Sequence, residues 1–231
     1  MSPNTDITAR LGDIVAERPA SARVLDRFGL DYCCRGQRTL ADACTTLGID
    51  VDDVRAALDE APSSAAGWTD LAPGALAEHL VSTHHAYLWD ELPLLDALAE
   101  KVHSAHAVRH PELARVRELV VELRADLEPH LMKEERVLFP AIRAIEAGQR
   151  EFPFGPVANP IRMMLAEHDR VGDLLAELRA VTSNYDVPSD GCASYRSLYE
   201  RLDALEHDTH VHIHKENHVL FPGVLALVES A

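Results

Sequence analysis

Two stretches of this sequence, HLMKEERVLFP beginning at His130 and HIHKENHVLFP beginning at His212, are nearly the same string. They are identical at seven of eleven positions, and both fit the pattern H-x-x-K-E-x-x-V-L-F-P. Two shorter stretches repeat in the same way, HAYLWDEL from His85 and HDRVGDLL from His168. The separation is 83 residues for the shorter pair and 82 for the longer pair. This repeat predicts two similar helical hairpins, each with one histidine on its first helix and a His-x-x-x-Glu pair on its second.

The apolar residues around the repeat follow the helical period over four long segments, at 74–103, 111–147, 158–182 and 192–229. The intervening stretches are rich in Pro, Gly or Asn, which interrupt helices. Four long helices with short connections predict an up-down-up-down bundle. Shorter helical patterns precede them. The sequence therefore predicts an all-α fold with a small helical domain at 1–60, a small and polar linker at 61–70 and the four-helix bundle at 71–231.

Composition argues against several classes of function. The 231 residues include 22 basic and 38 acidic ones, which gives a net charge of −16, and no basic stripe stands out. Such a chain repels nucleic acid and anionic membranes, so neither is expected as a partner. The sequence has no signal-peptide pattern and no apolar run long enough to cross a membrane. Four cysteines, two of them adjacent, form a poor disulfide framework, which favours the reducing cytoplasm.

The two His-x-x-x-Glu pairs have the spacing of metal ligands on a helix. Positions i and i+4 lie on one face, about 6 Å apart along the axis. His130 with Glu134, and His212 with Glu216, fall on otherwise apolar stripes and should point into the core. Buried imidazoles and carboxylates are costly without a partner, and a pair of metal ions would be a partner common to all of them. Imidazole and carboxylate ligands suit iron, manganese or zinc.

Neighbouring histidines leave two alternatives. On the first bundle helix either His84 or His85 could be the ligand, and the register of the repeat favours His85. The last helix carries a second face of histidines, which could be a surface metal site or could simply face solvent. This face consists of His207, His210, His214 and His218. The first repeat has no histidine at the positions of His214 and His218, so symmetry selects His212 as the ligand.

The adjacent cysteines, Cys33 and Cys34, lie in the predicted turn DYCCRGQ. Adjacent cysteines cannot close an ordinary disulfide without strain. Arg35 should lower the pKa of a neighbouring thiol and favour the thiolate. The alternative is a pair of half-buried, small apolar residues. Cys44, on an apolar helical stripe, and Cys192, at a helix start, are expected to be structural.

Taken together, DYCCRGQRTL at 31–40 and the two H-x-x-x-E repeats with V-L-F-P resemble the iron-sulfur cluster repair di-iron proteins, also called the repair of iron centres family. The first part is similar to that family's N-terminal cysteine-pair domain. The remainder is similar to its four-helix bundle of hemerythrin type, and the resemblance covers residues 8–224. It implies a non-haem di-iron centre, bridged by an oxo or hydroxo group. The ligands at the matching positions are His85, His130, Glu134, His168, His212 and Glu216.

The resemblance implies a function in restoring iron-sulfur clusters after oxidative or nitrosative damage, with damaged iron-sulfur proteins as clients. Iron donation is the leading hypothesis, and Cys33 and Cys34 are the candidates for transferring iron or electrons. Reduction of nitric oxide, or sensing and storage of oxygen, nitric oxide or iron at the same centre, are the alternatives. Whether the protein is an enzyme therefore stays open, as does a homodimer. The further histidine and aspartate ligands of oxygen-carrying hemerythrins are not evident here, so reversible oxygen storage is not expected.

Overall fold

The computed structural model describes residues 5–62 and 68–229. The predicted linker at 61–70 falls partly on residues 63–67, which lie outside the described residues, as do 1–4 and 230–231. Over the described ranges the chain contains helices and no strand, so the predicted all-α class is confirmed. The chain divides into two compact units. One contains residues up to 77 and from 210 onwards, and the other contains residues 78–209.

The first unit begins with four short helices close to their predicted positions. They are α1 (Leu11–Glu17), α2 (Ser21–Arg27), α3 (Leu40–Leu47) and α4 (Val51–Glu60). Polar side chains cap two of them: the Thr39 hydroxyl accepts the N–H of Asp42 at α3, and the Asp50 carboxylate accepts the N–H of Asp52 at α4. Gly48 ends α3 in the left-handed region, at φ 68°. Local sequence signals therefore define these helices.

Four long helical segments follow, each within a few residues of its predicted bounds. The first comprises α5 (Pro73–Leu80), the turn π1 (Val81–His85) and α6 (Ala86–His106). The second comprises α7 (Leu113–Lys133), π2 (Glu134–Leu138) and α8 (Phe139–Glu146), and the third is α9 (Ala158–Val181). The fourth comprises α10 (Ala193–Lys215), π3 (Glu216–Leu220) and α11 (Phe221–Glu229). No helix in the described ranges is long and apolar enough to cross a membrane.

Within the second unit, contacts between arginines and carboxylates join each helix to the next around a closed four-helix bundle. They are Arg124–Asp96 (α7 to α6, 2.8 Å), Arg115–Glu177 (α7 to α9, 2.7 Å), Arg179–Glu206 (α9 to α10, 2.9 Å) and Arg201–Glu91 (α10 to α6, 2.6 Å). Exposed ion pairs add little stability. The stability of the bundle comes from the burial of leucines such as Leu92, Leu123, Leu178 and Leu202, each at most 1% exposed.

Three of the four bundle helices widen into a single π-helical turn at residues predicted as ligands. His85 ends π1, whereas Glu134 begins π2 and Glu216 begins π3. The V-L-F-P motif explains the second and third of these turns. Pro140 and Pro222 have no backbone N–H, so neither can bond to the carbonyl one α-helical turn earlier. Single π turns inside α-helices occur often at functional sites, and here they coincide with the repeated motif.

Candidate metal centre

In the second unit, the side chains of His130, Glu134 and His168 turn their ligating atoms towards one another. One such atom from each lies within 4.8 Å of the others. His130 Nε2 lies 3.2 Å from His168 Nε2 and 3.4 Å from Glu134 Oε2, and His85 Nε2 lies 3.4 Å from the same oxygen. Glu134 is fully buried, and the three histidines are at most 2% exposed. The second unit thus buries one carboxylate and three imidazoles together.

Two further carboxylates orient these imidazoles from their other side. Glu135 accepts hydrogen bonds from His85 Nδ1 at 3.0 Å and from Trp89 Nε1 at 2.9 Å. Glu167 accepts one from His130 Nδ1 at 2.9 Å and a second from Lys133. Because a carboxylate holds the proton on Nδ1, the lone pair of each neutral ring is on Nε2, as metal binding requires.

Sequence reasoning did not single out Glu135 and Glu167 as functional residues. The hydrogen bond from His130 is the main cause that lowers the pKa of Glu167 to about 2, so this carboxylate is ionised. Both residues adjoin a predicted ligand in sequence, Glu134 and His168 respectively. Their partners lie on other helices, however, and spacing along one helix cannot reveal such a contact. Position next to a ligand was the one available signal.

The first unit contains the second His-x-x-x-Glu pair. His212 Nε2 lies 3.2 Å from Glu216 Oε1, and these residues are 1% and 0% exposed. Their arrangement parallels that of His130 and Glu134, whose separation is the same four residues. Glu216 begins its π turn as Glu134 does, so the repeated sequence produces a repeated local structure.

The donor atoms of these residues fit a metal ion. Two ligands at about 2.0–2.2 Å from one ion are separated by about 3.0–3.4 Å when they subtend 90° to 110° at it, which are common coordination angles. The separations between Nε2 and Oε2, and between the two Nε2 atoms, are in this range. A cation would also offset the cost of burying the carboxylate of Glu134. Nitrogen and oxygen donors of this kind suit non-haem iron, as well as manganese or zinc.

The structure separates the two adjacent histidines of the first bundle helix. His85 directs Nε2 to Glu134, and its ring stacks on Phe139 of the V-L-F-P motif, with ring centroids 5.5 Å apart. His84 turns away and hydrogen-bonds through Nδ1 to Asp208 at 2.8 Å. The geometry thus brings His85 to the group, in agreement with the register of the repeat.

The cysteine pair of the first unit lies against the last helix. The carbonyl oxygen of Cys33 accepts hydrogen bonds from Asn217 Nδ2 and His218 Nε2, both at 3.1 Å, and these two residues directly follow Glu216. The sulfur atoms of Cys33 and Cys34 are 3.6 Å apart and both thiols are free. Cys33 is 1% exposed, whereas Cys34 is half-buried. The turn that carries the thiols is therefore attached to the helix that carries a proposed ligand.

The expectation that Arg35 favours a thiolate is wrong for Cys33. The hydrogen bond with Cys34, burial, and the charge of Asp31 raise the pKa of Cys33 well above its ordinary value. Arg35 is exposed and lies 3.9 Å from the Asp31 carboxylate. Asp31 Oδ1 also accepts the backbone N–H groups of Cys33, Cys34 and Arg35, which fixes the turn. Asp31, Cys33 and Cys34 form a further group of donor atoms within 4.8 Å.

The expectation that the remaining histidines of the last helix face solvent is wrong for His214. This residue is fully buried in the first unit, with its ring 5.7 Å from Tyr32 and 5.9 Å from Trp68. Burial lowers the pKa of His214 to about 3, so the ring is neutral. His210 binds Asp26 at 2.9 Å. Among the described residues, no group of three or more potential ligands includes any of the four histidines proposed for a surface site.

His218 occupies a narrow socket formed by two glycines of the first unit. A Cβ atom would lie 2.6 Å from His218 Nδ1 if it were added to Gly12, and 2.5 Å from His218 Nε2 if it were added to Gly36. The N–H of Gly12 donates to the carbonyl of Gly36 at 2.9 Å, which joins the two walls. The close approach of the ring therefore depends on the absence of side chains at both positions.

A helical bundle that buries histidines and glutamates in this manner is a metal-binding protein of the hemerythrin class. Comparison with known families agrees with this classification. Residues 76–224 match the hemerythrin HHE cation binding domain, and residues 7–62 match a domain of unknown function, DUF542.

Several curated proteins are similar to the chain over nearly its whole length. The iron-sulfur cluster repair protein YtfE of Enterobacter sp. (strain 638) is 32% identical over 218 residues, which are 94% of this chain and 96% of the relative. The iron-sulfur cluster repair protein ScdA of Staphylococcus haemolyticus is 30% identical over 96% of this chain and 98% of its own. The YtfE protein of Cronobacter sakazakii is 33% identical over 94% and 96%. The chain therefore belongs to the hemerythrin-domain family that includes these repair proteins.

Proposed function

We propose that this protein holds a non-haem di-iron centre and uses it to repair iron-sulfur clusters. The proposed ligands are His85, His130, Glu134, His168, His212 and Glu216. The observation that carries the proposal is the convergence of His85, His130 and His168 with the fully buried Glu134. The matching His212–Glu216 pair supports a second half of the same kind, because the repeat duplicates each element of the first.

Each part of the centre has a distinct task. The imidazoles and carboxylates bind and orient the metal, which when bound supplies labile iron for cluster restoration. Glu135 and Glu167 hold the proton on Nδ1 of their histidines, so that Nε2 stays available. The surrounding leucines and Phe139 exclude water, which strengthens the electrostatic attraction between carboxylate and cation.

The clients are iron-sulfur proteins with damaged clusters, as the names of the relatives suggest. Iron donation is the mode that this site supports best, because the cysteine turn of the first unit is hydrogen-bonded to residues that follow Glu216. We assign Cys33 and Cys34 the transfer of iron or electrons. The cytoplasm is the proposed location, since two free thiols 3.6 Å apart are suited to a reducing compartment.

Metal analysis and a repair assay test the proposal. The protein expressed with added iron should contain two irons per chain, together with the absorption of a non-haem ferric pair. Incubation with a hydro-lyase whose cluster has lost iron through peroxide treatment should restore that enzyme while the donor loses iron. A chain that binds one zinc, or that keeps its iron while the client stays inactive, would contradict the proposal. Sustained nitric oxide turnover without iron loss would favour an enzyme.

A further inference from the structure

A cysteine and a histidine that the metal centre does not use lie side by side in the second unit. Cys192 immediately precedes α10 and is exposed, so the expectation that it is structural is wrong. His106, the last residue of α6, is 8% exposed, and its Nε2 lies 3.2 Å from Cys192 Sγ. The ring packs edge-on against Tyr195, with centroids 5.4 Å apart, and its buried Nδ1 has no hydrogen-bond partner among the described residues. The ring is thus held by packing, with Nε2 directed at the sulfur.

The surroundings favour negative charge on that sulfur. The backbone N–H groups of Tyr195 and Ser194 lower the pKa of the Cys192 thiol, and the charge of Lys101 lowers it further. These amides belong to the N-terminus of a 23-residue helix, where thiolates are stabilised. The other titratable groups near the His106 ring are His110, which binds Asp190 at 2.9 Å and Glu112 at 3.2 Å.

An open groove adjoins the pair between α6 and α10. Its volume is about 440 Å³, and Ala193 and Ser194, the residues that follow Cys192, form part of its wall. Leu94 and Leu98 give it an apolar side, and Leu94 is 54% exposed. Lys101 and Arg201 also line it, and Arg201 is bound to Glu91. Lys101 is thus the groove cation best placed to attract an anion towards the sulfur.

We propose that Cys192 is a reactive thiol site for small acidic disulfides, with Lys101 attracting the anion and His106 exchanging protons with the sulfur. In the reaction, the Cys192 thiolate attacks one sulfur of the disulfide. A new S–S bond forms between Cys192 and that sulfur, and the S–S bond of the reagent breaks. The leaving thiolate takes the electron pair and a proton from His106 or water. The disulfide itself is the oxidant, so the step needs no further reactant, and this site is separate from the proposed function.

Site-resolved labelling of the full-length, iron-loaded protein tests the proposal. The probe is glutathione disulfide, and peptide mass spectrometry measures the mixed disulfide on each cysteine over time. Cys44 is the internal control, because it is 1% exposed and burial raises its pKa. Cys192 should react at least about tenfold faster than Cys44. A rate at Cys192 no greater than that at Cys44 would overturn the proposal.

Two variants test the assigned roles. His106→Phe retains an aromatic ring against Tyr195 and removes the nitrogen, so labelling of Cys192 should slow with both acidic and basic disulfides. Lys101→Gln should slow labelling by glutathione disulfide about two- to fivefold and leave labelling by cystamine, a basic disulfide, unchanged or faster. Thermal unfolding checks that each variant is folded. Because Lys101 is an exposed residue, its variant remains informative even if His106→Phe unfolds. Unchanged rates in folded variants would refute the roles of the two side chains.

Discussion

His218 Nε2 donates a hydrogen bond to the carbonyl oxygen of Cys33 at 3.1 Å, two residues beyond Glu216 on the same helix. The proposed metal ligand and the anchor of the cysteine turn thus lie within a single helical turn. Asn217, between them, donates to the same carbonyl. Asn217 corresponds in the repeat to Glu135, which binds His85 in the first half. The two halves of the repeat therefore use one equivalent position for different purposes, one for a metal-ligand histidine and one for the cysteine turn.

Gly36→Ala should displace the cysteine turn from the last helix. A Cβ at this position would lie 2.2 Å from the backbone oxygen of Tyr32 and 2.5 Å from His218 Nε2, so the backbone itself must move. We expect a loss of about 1–3 kcal/mol in the free energy of unfolding. Alkylation of Cys34, which is half-buried, should become faster. Denaturant unfolding and labelling kinetics measure the two effects.

Gly223→Ala is the matched control in the same unit. Its added Cβ would meet Pro73 Cγ at 3.7 Å, an ordinary contact, and the position lies in α11. We expect unchanged stability or a gain of up to about 1 kcal/mol, because alanine is a better helix former than glycine. If Gly36→Ala were as harmless as this control, the socket around His218 would not restrict the cysteine turn.

Glu134→Gln should abolish iron binding with little loss of stability in the metal-free protein. The substitution keeps the size of the side chain and removes a buried charge, which is costly without a cation. The metal-loaded wild type should gain about 2.7 kcal/mol when free iron is a hundredfold above its dissociation constant, and the variant should gain nothing. Melting with and without iron separates the two terms. Equal stabilisation of variant and wild type by iron would remove Glu134 from the ligand set.

His84→Ala and His85→Ala form a pair of variants one residue apart. His85→Ala should lose iron, because Nε2 of this residue lies 3.4 Å from Glu134 Oε2. His84→Ala should keep it and lose about 1 kcal/mol with the hydrogen bond to Asp208. Iron content by elemental analysis distinguishes them. The opposite result would place the ligand at His84 and break the symmetry of the repeat.

Much of the architecture could be predicted because it is encoded locally. The bounds of the bundle helices follow from Pro, Gly and Asn between periodic segments, and His130 and Glu134 share a face through their i, i+4 spacing. The contacts of Glu135 and Glu167 could not be predicted in this way, since their partners His85 and His130 lie on other helices. The same holds for Cys192, whose partner His106 is 86 residues away.

Glu167→Gln should weaken iron binding without abolishing it. Glutamine can still accept the hydrogen bond from His130 Nδ1, but it lacks the negative charge that makes the imidazole a stronger ligand. Changes at such outer positions typically lower metal affinity by about 10–100-fold, and we expect the lower end of this range because the hydrogen bond is kept. Titration against a competing chelator measures the affinity. Glu118→Gln, whose side chain is 59% exposed, is the control and should bind iron normally.

Cys33→Ser combined with Cys34→Ser should leave iron content and the optical spectrum nearly unchanged while iron transfer to the damaged hydro-lyase falls. The double change removes both thiols but not the anchor, because Asn217 and His218 bind the backbone carbonyl of Cys33. Cys44→Ser, at a buried position away from the pair, controls for loss of a thiol as such and should transfer normally if it folds. Deletion of residues 1–60 is a poorer test, since it would also remove Tyr32, which packs against the buried His214. An iron-free double variant would make the cysteines ligands. Transfer at the normal rate would make the pair structural and leave the whole activity to the helical bundle.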